Sequence, residues 1–105
     1  MKRLLEILFE IETPLNTKIR TTRKYWNYLI TIKHPVMRGK EKIVASILKD
    51  PDEVRKSKID ENVYLYYKTV DRMYCAVAKH ENETGFLITT YPVDKLKEGE
   101  IVWKK

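Results

Sequence analysis

The stretch Thr84-Gly85-Phe86-Leu87-Ile88-Thr89-Thr90-Tyr91-Pro92 constrains the fold more than any other part of this chain. It runs from a glycine turn to a proline stop and is rich in apolar, β-branched and aromatic residues. A strand of that composition has both faces occupied, which places it inside a sheet. Strict alternation puts Phe86, Ile88 and Thr90 on one face and Leu87, Thr89 and Tyr91 on the other. The rest of the chain must supply strands to pair with it and helices to cover it.

Residues 3–12 alternate with Leu5, Ile7, Phe9 and Ile11 on one side, the pattern of a half-buried strand. Thr13-Pro14-Leu15-Asn16-Thr17 turns the chain and Lys18-Ile19-Arg20-Thr21 returns, giving an edge hairpin. Thr22 has the character of an N-cap, and Arg23 to Lys33 has helical period, with Trp26, Leu29, Ile30 and Lys33 on one face. His34-Pro35 ends that helix, because a residue before proline is pushed out of the α region. A second helix follows Gly39 and runs to Lys49, with Ile43, Val44, Ile47 and Leu48 as its apolar stripe. Strands are then expected at 54–59, 63–70, 73–79 and 84–92, joined by short turns. The expected fold is α+β in two layers: an N-terminal β-hairpin, two helices, then a four-stranded antiparallel meander with one face left open. Residues 94–99 are expected to form a helical turn, and Ile101-Val102-Trp103 to pack back or extend a sheet edge. The 105 residues fit one domain spanning 1–105. Its core should include Trp26, Ile30, Ile43, Ile47, Leu48, Val77, Phe86 and Ile88.

Glu6, Glu10 and Glu12 interrupt the N-terminal apolar run, so neither a signal peptide nor a membrane span is expected. The expected location is cytoplasmic, with no membrane partner. Cys75, the sole cysteine, lies in an apolar strand and reads as a small core residue. Two histidines and one cysteine give no zinc spacing, and three scattered glycines make no phosphate loop, so no metal or cofactor is expected. Charge is uneven: residues 1–58 hold 14 Lys/Arg against 7 Asp/Glu, and residues 59–105 hold 7 against 8. A one-sided basic field fits a polyanionic partner such as RNA. A lysine-rich solubilising surface of thermophile type accounts for the same composition.

Four groups of residues could carry chemistry. His34 ends a helix, where it could move a proton or contact a phosphate, or simply cap the carbonyls. His80 sits beside a polar turn and reads as solvated. Arg55, with Lys56 and Lys58, opens a strand; a cleft-facing arginine suits a phosphate, while an edge strand uses such charge against mispairing. Tyr64, Tyr66, Tyr67, Tyr74 and Tyr91 crowd the meander, where they could stack bases or cover half-buried sheet. Arg20, Arg23, Lys56, Lys58, Tyr66 and Lys68 are the expected nucleic-acid contacts.

Three segments together resemble a group of small prokaryotic proteins: Thr-Arg-Lys-Tyr-Trp-Asn-Tyr-Leu-Ile-Thr-Ile-Lys-His-Pro (22–35), Asp-Pro-Asp-Glu-Val-Arg-Lys-Ser (50–57) and Gly-Phe-Leu-Ile-Thr-Thr-Tyr-Pro (85–92). In that group a Trp-containing helix ends in His-Pro and a late strand ends in Thr-x-Tyr. Its layout is similar to the barnase/EndoU/colicin/RelE-like (BECR) nuclease fold, over about residues 15–103. The resemblance implies metal-independent RNA cleavage, of the kind carried out by the toxin of a toxin–antitoxin pair, on free RNA or on the ribosome. It implies His34 as acid/base, Arg55 as phosphate holder, and Thr89 and Tyr91 as groups lining the sheet. The tail carries only Lys104 and Lys105 beyond Trp103, fewer basic residues than RelE toxins usually carry there. A non-catalytic RNA-binding module, or a protein-interaction domain on the same scaffold, is the alternative expectation.

Overall fold

Seven strands form a single mixed sheet in the computed structural model, which describes residues 6–96 and 99–105. The strands are β1 (Ile7–Glu12), β2 (Lys18–Thr22), β3 (Glu53–Lys56), β4 (Val63–Thr69), β5 (Met73–Glu81), β6 (Thr84–Pro92) and β7 (Glu100–Lys104). Their order across the sheet is β1-β2-β6-β5-β4-β3-β7. The α+β class is as expected, and β3 to β6 are consecutive antiparallel neighbours. The four-stranded sheet beside a separate hairpin is corrected, because β2 joins β6 in parallel; β7 extends the sheet beside β3 as an edge strand, one of the two places expected for Ile101-Val102-Trp103. β6 is therefore an interior strand with partners on both sides, as its composition required. The expected strand start at 3–5 and part of the expected turn at 94–99 lie outside the described residues.

The parallel junction depends on Gly85, which pairs with Ile19 on one side and His80 on the other. A Cβ there would lie 2.1 Å from the Lys79 carbonyl oxygen and 2.9 Å from Ile19 Cδ1. Asn82, at φ 65°, makes the β5–β6 turn in the left-handed region that asparagine tolerates.

Thr22 caps α1 (Arg23–Tyr28) by accepting a hydrogen bond from the Tyr25 N–H. The helix then widens into a π turn at Leu29–Lys33, closed by the His34 N–H on the Leu29 carbonyl at 2.7 Å. A 3-10 turn at Pro35–Met37 and the left-handed Gly39 lead into α2 (Glu41–Lys49). The helical layer and one sheet face enclose the main core. Trp26, Leu29, Ile30, Met37, Val44, Ile47 and Leu48 meet Ile19, Val54, Tyr66, Tyr74, Ala76, Ala78 and Leu87. No helix among the described residues is long and apolar enough to cross a membrane.

One irregularity changes the face assignment of β6. Val77 pairs with Thr89 but Ala78 pairs with Leu87, so Ile88 is an extra residue in a β-bulge. Leu87 and Thr90 consequently share the helix-covered face, while Phe86, Thr89 and Tyr91 share the other. Phe86 is 38% exposed, not a core residue, and Ile88 is only half-buried. The second face is partly covered. Leu65, Tyr67 and Cys75 are buried there, with Val77, Tyr91, Val93 and Leu96 packed against them.

Candidate active site on the second sheet face

Cross-strand register lays the residues of this face out in rows. Glu53, Tyr67, Cys75 and Tyr91 make one row, and Arg55, Leu65, Val77 and Thr89 make the next. The chain between β3 and β4 bends back over this face. Ser57 Oγ accepts hydrogen bonds from the N–H groups of Ile59 and Asp60, both at 3.2 Å, which shapes the turn carrying Lys58. Between turn and sheet lies a cleft of about 410 Å³, lined by Ser57, Lys58, Asp60, Leu65, Val77, Thr89 and Tyr91, among others.

His34 reaches this face from the helical layer. The wide π turn displaces it from helical register, and its backbone (φ −140°, ψ 74°) leads into the proline turn. Its ring lies 5.2 Å from that of Tyr91, tilted by 44°. Partial burial, followed by the nearby Lys33 charge, lowers the His34 pKa and favours the neutral imidazole. Burial, then Cys75 and Tyr67, push the Tyr91 phenol up to about 12, so it is a standing proton donor at neutral pH. Thr89 lines the same cleft, and its Oγ1 is buried without a hydrogen-bond partner. Groups of this kind at a cleft can hold an oxygen-rich ligand and move a proton.

His34, Thr89 and Tyr91 are thus brought to one end of the face, and Arg55 is not. Arg55 shares a row with Thr89 but stands three strand spacings away, about 14 Å. Its guanidinium is paired with Glu53, a carboxylate only 7% exposed. The i, i+2 spacing of Glu53 and Arg55 on one strand was the signal for that pairing, because such residues share a face.

The expected nucleic-acid contacts scatter. Lys58 lines the cleft, and Lys56 lines an adjoining hollow with Glu61 and Glu100. Arg20 lies beside Phe86 in a separate hollow, and exposed Arg23 lies 3.5 Å from Glu6. Tyr66 is fully buried in the helix-covered core, which removes it as a base-stacking residue. Lys68 donates to the Asp50 carbonyl at 2.8 Å, beside the end of α2, rather than facing the cleft. His80 is not a solvated turn residue either. Tyr64 stacks on its ring at 4.0 Å, and the Tyr66 hydroxyl lies 2.8 Å from its Nε2. Among the described residues no group of three or more His, Cys, Asp or Glu could hold a metal ion. No family model, curated protein or solved structure matches the chain.

Proposed function

We propose that this chain is a ribonuclease of RelE/BECR-like type that cuts RNA without a metal ion. The observation that carries the reading is the His34 ring 5.2 Å from that of Tyr91, which lines a cleft together with Lys58 and with Thr89, whose buried hydroxyl has no partner. In this scheme His34 takes the proton from a ribose 2′-hydroxyl. The 2′-oxygen forms a bond to the adjacent phosphorus as the bond to the 5′-oxygen breaks, leaving a 2′,3′-cyclic phosphate. The Tyr91 phenol supplies the proton for the departing 5′-oxygen. Lys58 offsets the charge that grows on the phosphate, the largest single demand in such a transition state. Arg55, further along the sheet, holds a flanking phosphate rather than the scissile one. As a toxin, the protein would meet its RNA free or on the ribosome, and an antitoxin would silence it by covering this face.

The test is incubation of a mixed single-stranded RNA in excess chelator with wild type, His34→Ala and Tyr91→Phe. Cleavage to cyclic-phosphate ends by wild type, reduced at least about 100-fold in each variant, is the expected result. Retained cleavage in both variants would remove this assignment. Ribosome-bound RNA is included as a substrate, because a ribosome-dependent enzyme is inert on free RNA.

A second reading is an RNA-binding module that cleaves nothing. The tie between Arg55 and Glu53 favours it, because the guanidinium is partly neutralised before any phosphate arrives. Wild type that binds RNA with strong salt dependence but leaves it intact would select this reading.

A further inference from the structure

Where β2 and β6 separate, the sheet carries a second feature that the cleavage scheme does not use. Their parallel pairing runs only from Lys18/Thr84 to Arg20/Phe86. Beyond that point the strands part, and Tyr25 reaches across to donate a hydrogen bond to the Ile88 carbonyl at 2.6 Å. A hollow of about 340 Å³ opens in the fork, lined by Arg20, Thr21, Thr22, Tyr25, Phe86 and Leu87.

A row of side chains around the exposed Phe86, beside the fork, points to a ligand. Phe86 is a large apolar ring, 38% exposed, in the middle of a row that reads Arg20, Phe86, Lys79. It is flanked on the same face by two cations. Among the described residues neither cation is in an ion pair, although Glu10 follows Arg20 at the sheet edge. An exposed ring between positive charges offers stacking area and phosphate contacts at one place. Thr21, in turn, is only 3% exposed, and its Oγ1 has no hydrogen-bond partner. Its side chain shares the helix-covered face with Ile19, opposite Phe86 and Arg20, so it bounds the hollow from beneath and the exposed Phe86 row alone carries the inference.

We infer that the β2–β6 fork is a nucleotide subsite, in which a base of single-stranded RNA stacks on Phe86 while Arg20 and Lys79 hold its phosphates. The inference rests on the proposed action on RNA and adds where a nucleotide flanking the scissile one is held. Phe86 and Thr89 lie on the same face of β6, about 10 Å apart along the strand. One extended RNA strand can therefore run from the fork to the cleft. Stacking there is tolerant of sequence, because every base has a π face.

The experiment measures affinity for a short single-stranded 2′-O-methyl RNA, which cannot be cleaved because its 2′-oxygen is blocked. Wild type is compared with Phe86→Leu, Phe86→Tyr, Arg20→Gln and Lys79→Gln, each checked for an unchanged thermal unfolding midpoint. Phe86→Leu should weaken binding about tenfold, and Phe86→Tyr should restore it, since only the π face matters. Arg20→Gln and Lys79→Gln should each lower the salt dependence by about one phosphate contact. Equal affinity of wild type and Phe86→Leu would overturn the subsite while leaving cleavage in chelator untouched. Loss of binding in Phe86→Leu, with a wild type that cleaves nothing, would uphold the subsite and sink the nuclease reading. Wild type that fails to bind RNA even at low salt would overturn both.

Discussion

The imidazole of His34 rests 5.2 Å from the phenol ring of Tyr91, at the point where the helical layer meets the second face of the sheet. The two groups come from distant parts of the chain and have opposite tendencies. Burial holds His34 in its basic form and Tyr91 in its acidic form. If they act as base and acid, the acid limb of the pH–rate profile has its midpoint below the ordinary histidine value of about 6.5. Because Tyr91 titrates only at about 12, its deprotonation causes no fall in rate near pH 9. Single-turnover cleavage measured across pH checks both limbs, and His34→Ala should abolish the acid one.

Folding stability should depend on acid through His80. The Tyr66 hydroxyl lies 2.8 Å from His80 Nε2, and Thr17 Oγ1 lies 3.4 Å from Nδ1. With the ring neutral as the Nδ1–H tautomer, Nδ1–H donates to Thr17 and Nε2 accepts from Tyr66; protonation of Nε2 removes that acceptor. Burial lowers the His80 pKa to about 4. Between that value and about 6.5 the unfolded chain binds a proton that the folded one refuses. The stability is therefore complete above about pH 6.5 and is lost as pH falls toward 4, by about 2 kcal/mol after screening at a partly exposed ring. Urea unfolding of wild type and His80→Gln between these pH values checks this, and the variant should show a flatter dependence.

Arg55→Ala should cost stability as well as any function. It leaves the Glu53 carboxylate, 7% exposed, without its partner. Breaking such a pair from one side costs about 3 kcal/mol, whereas replacing both members with apolar residues is close to neutral. Urea unfolding should place Arg55→Ala about 3 kcal/mol below wild type and the double variant Glu53→Met/Arg55→Met within about 1 kcal/mol of it. A stable Arg55→Ala protein would show that the pair contributes little to the fold.

Gly85→Ala should be among the most damaging single-methyl additions. Its Cβ meets the Lys79 carbonyl oxygen at 2.1 Å, a backbone atom that cannot rotate away. The added methyl must push apart β5 and β6, and it also presses on Ile19 across the parallel junction. A loss of about 3 kcal/mol or more is expected, checked by thermal or urea unfolding. A loss under about 1 kcal/mol would mean that β2 is held to β6 less closely than the register shows.

The local elements were legible because they depend on near neighbours. Thr22 as a cap, Trp26, Leu29 and Ile30 as one helix face, and Pro35 as a stop all follow from 3.6-residue period and backbone sterics. The interior position of β6 followed from its composition, and the existence of short connections between β4 and β5 and between β5 and β6 from polar breaks between apolar runs, although β5 runs on to Glu81. The faces of β6 were not legible. One extra residue at Ile88 reverses the alternation, sending Leu87 into the helix-covered core and Phe86 into solvent. A bulge is fixed by the partner strand's register, which no property of the bulged residues themselves announces.

The candidate site divides in the same way. His34, Arg55, Thr89 and Tyr91 could be named from residue type and place in the chain, since polar groups at element ends and in apolar strands stand out locally. Which of them meet was decided by the tertiary structure. His34 and Tyr91 are 57 positions apart in sequence and become neighbours through a π turn and a sheet edge. Arg55 is drawn away to Glu53, and Tyr66 is sealed beneath the helices. Sequence sets the periodicity and the chemistry of each segment, because those are short-range properties of the backbone and side chains. Distances between segments depend on how sheet register and helix packing jointly exclude water from one core, and only the assembled fold fixes them.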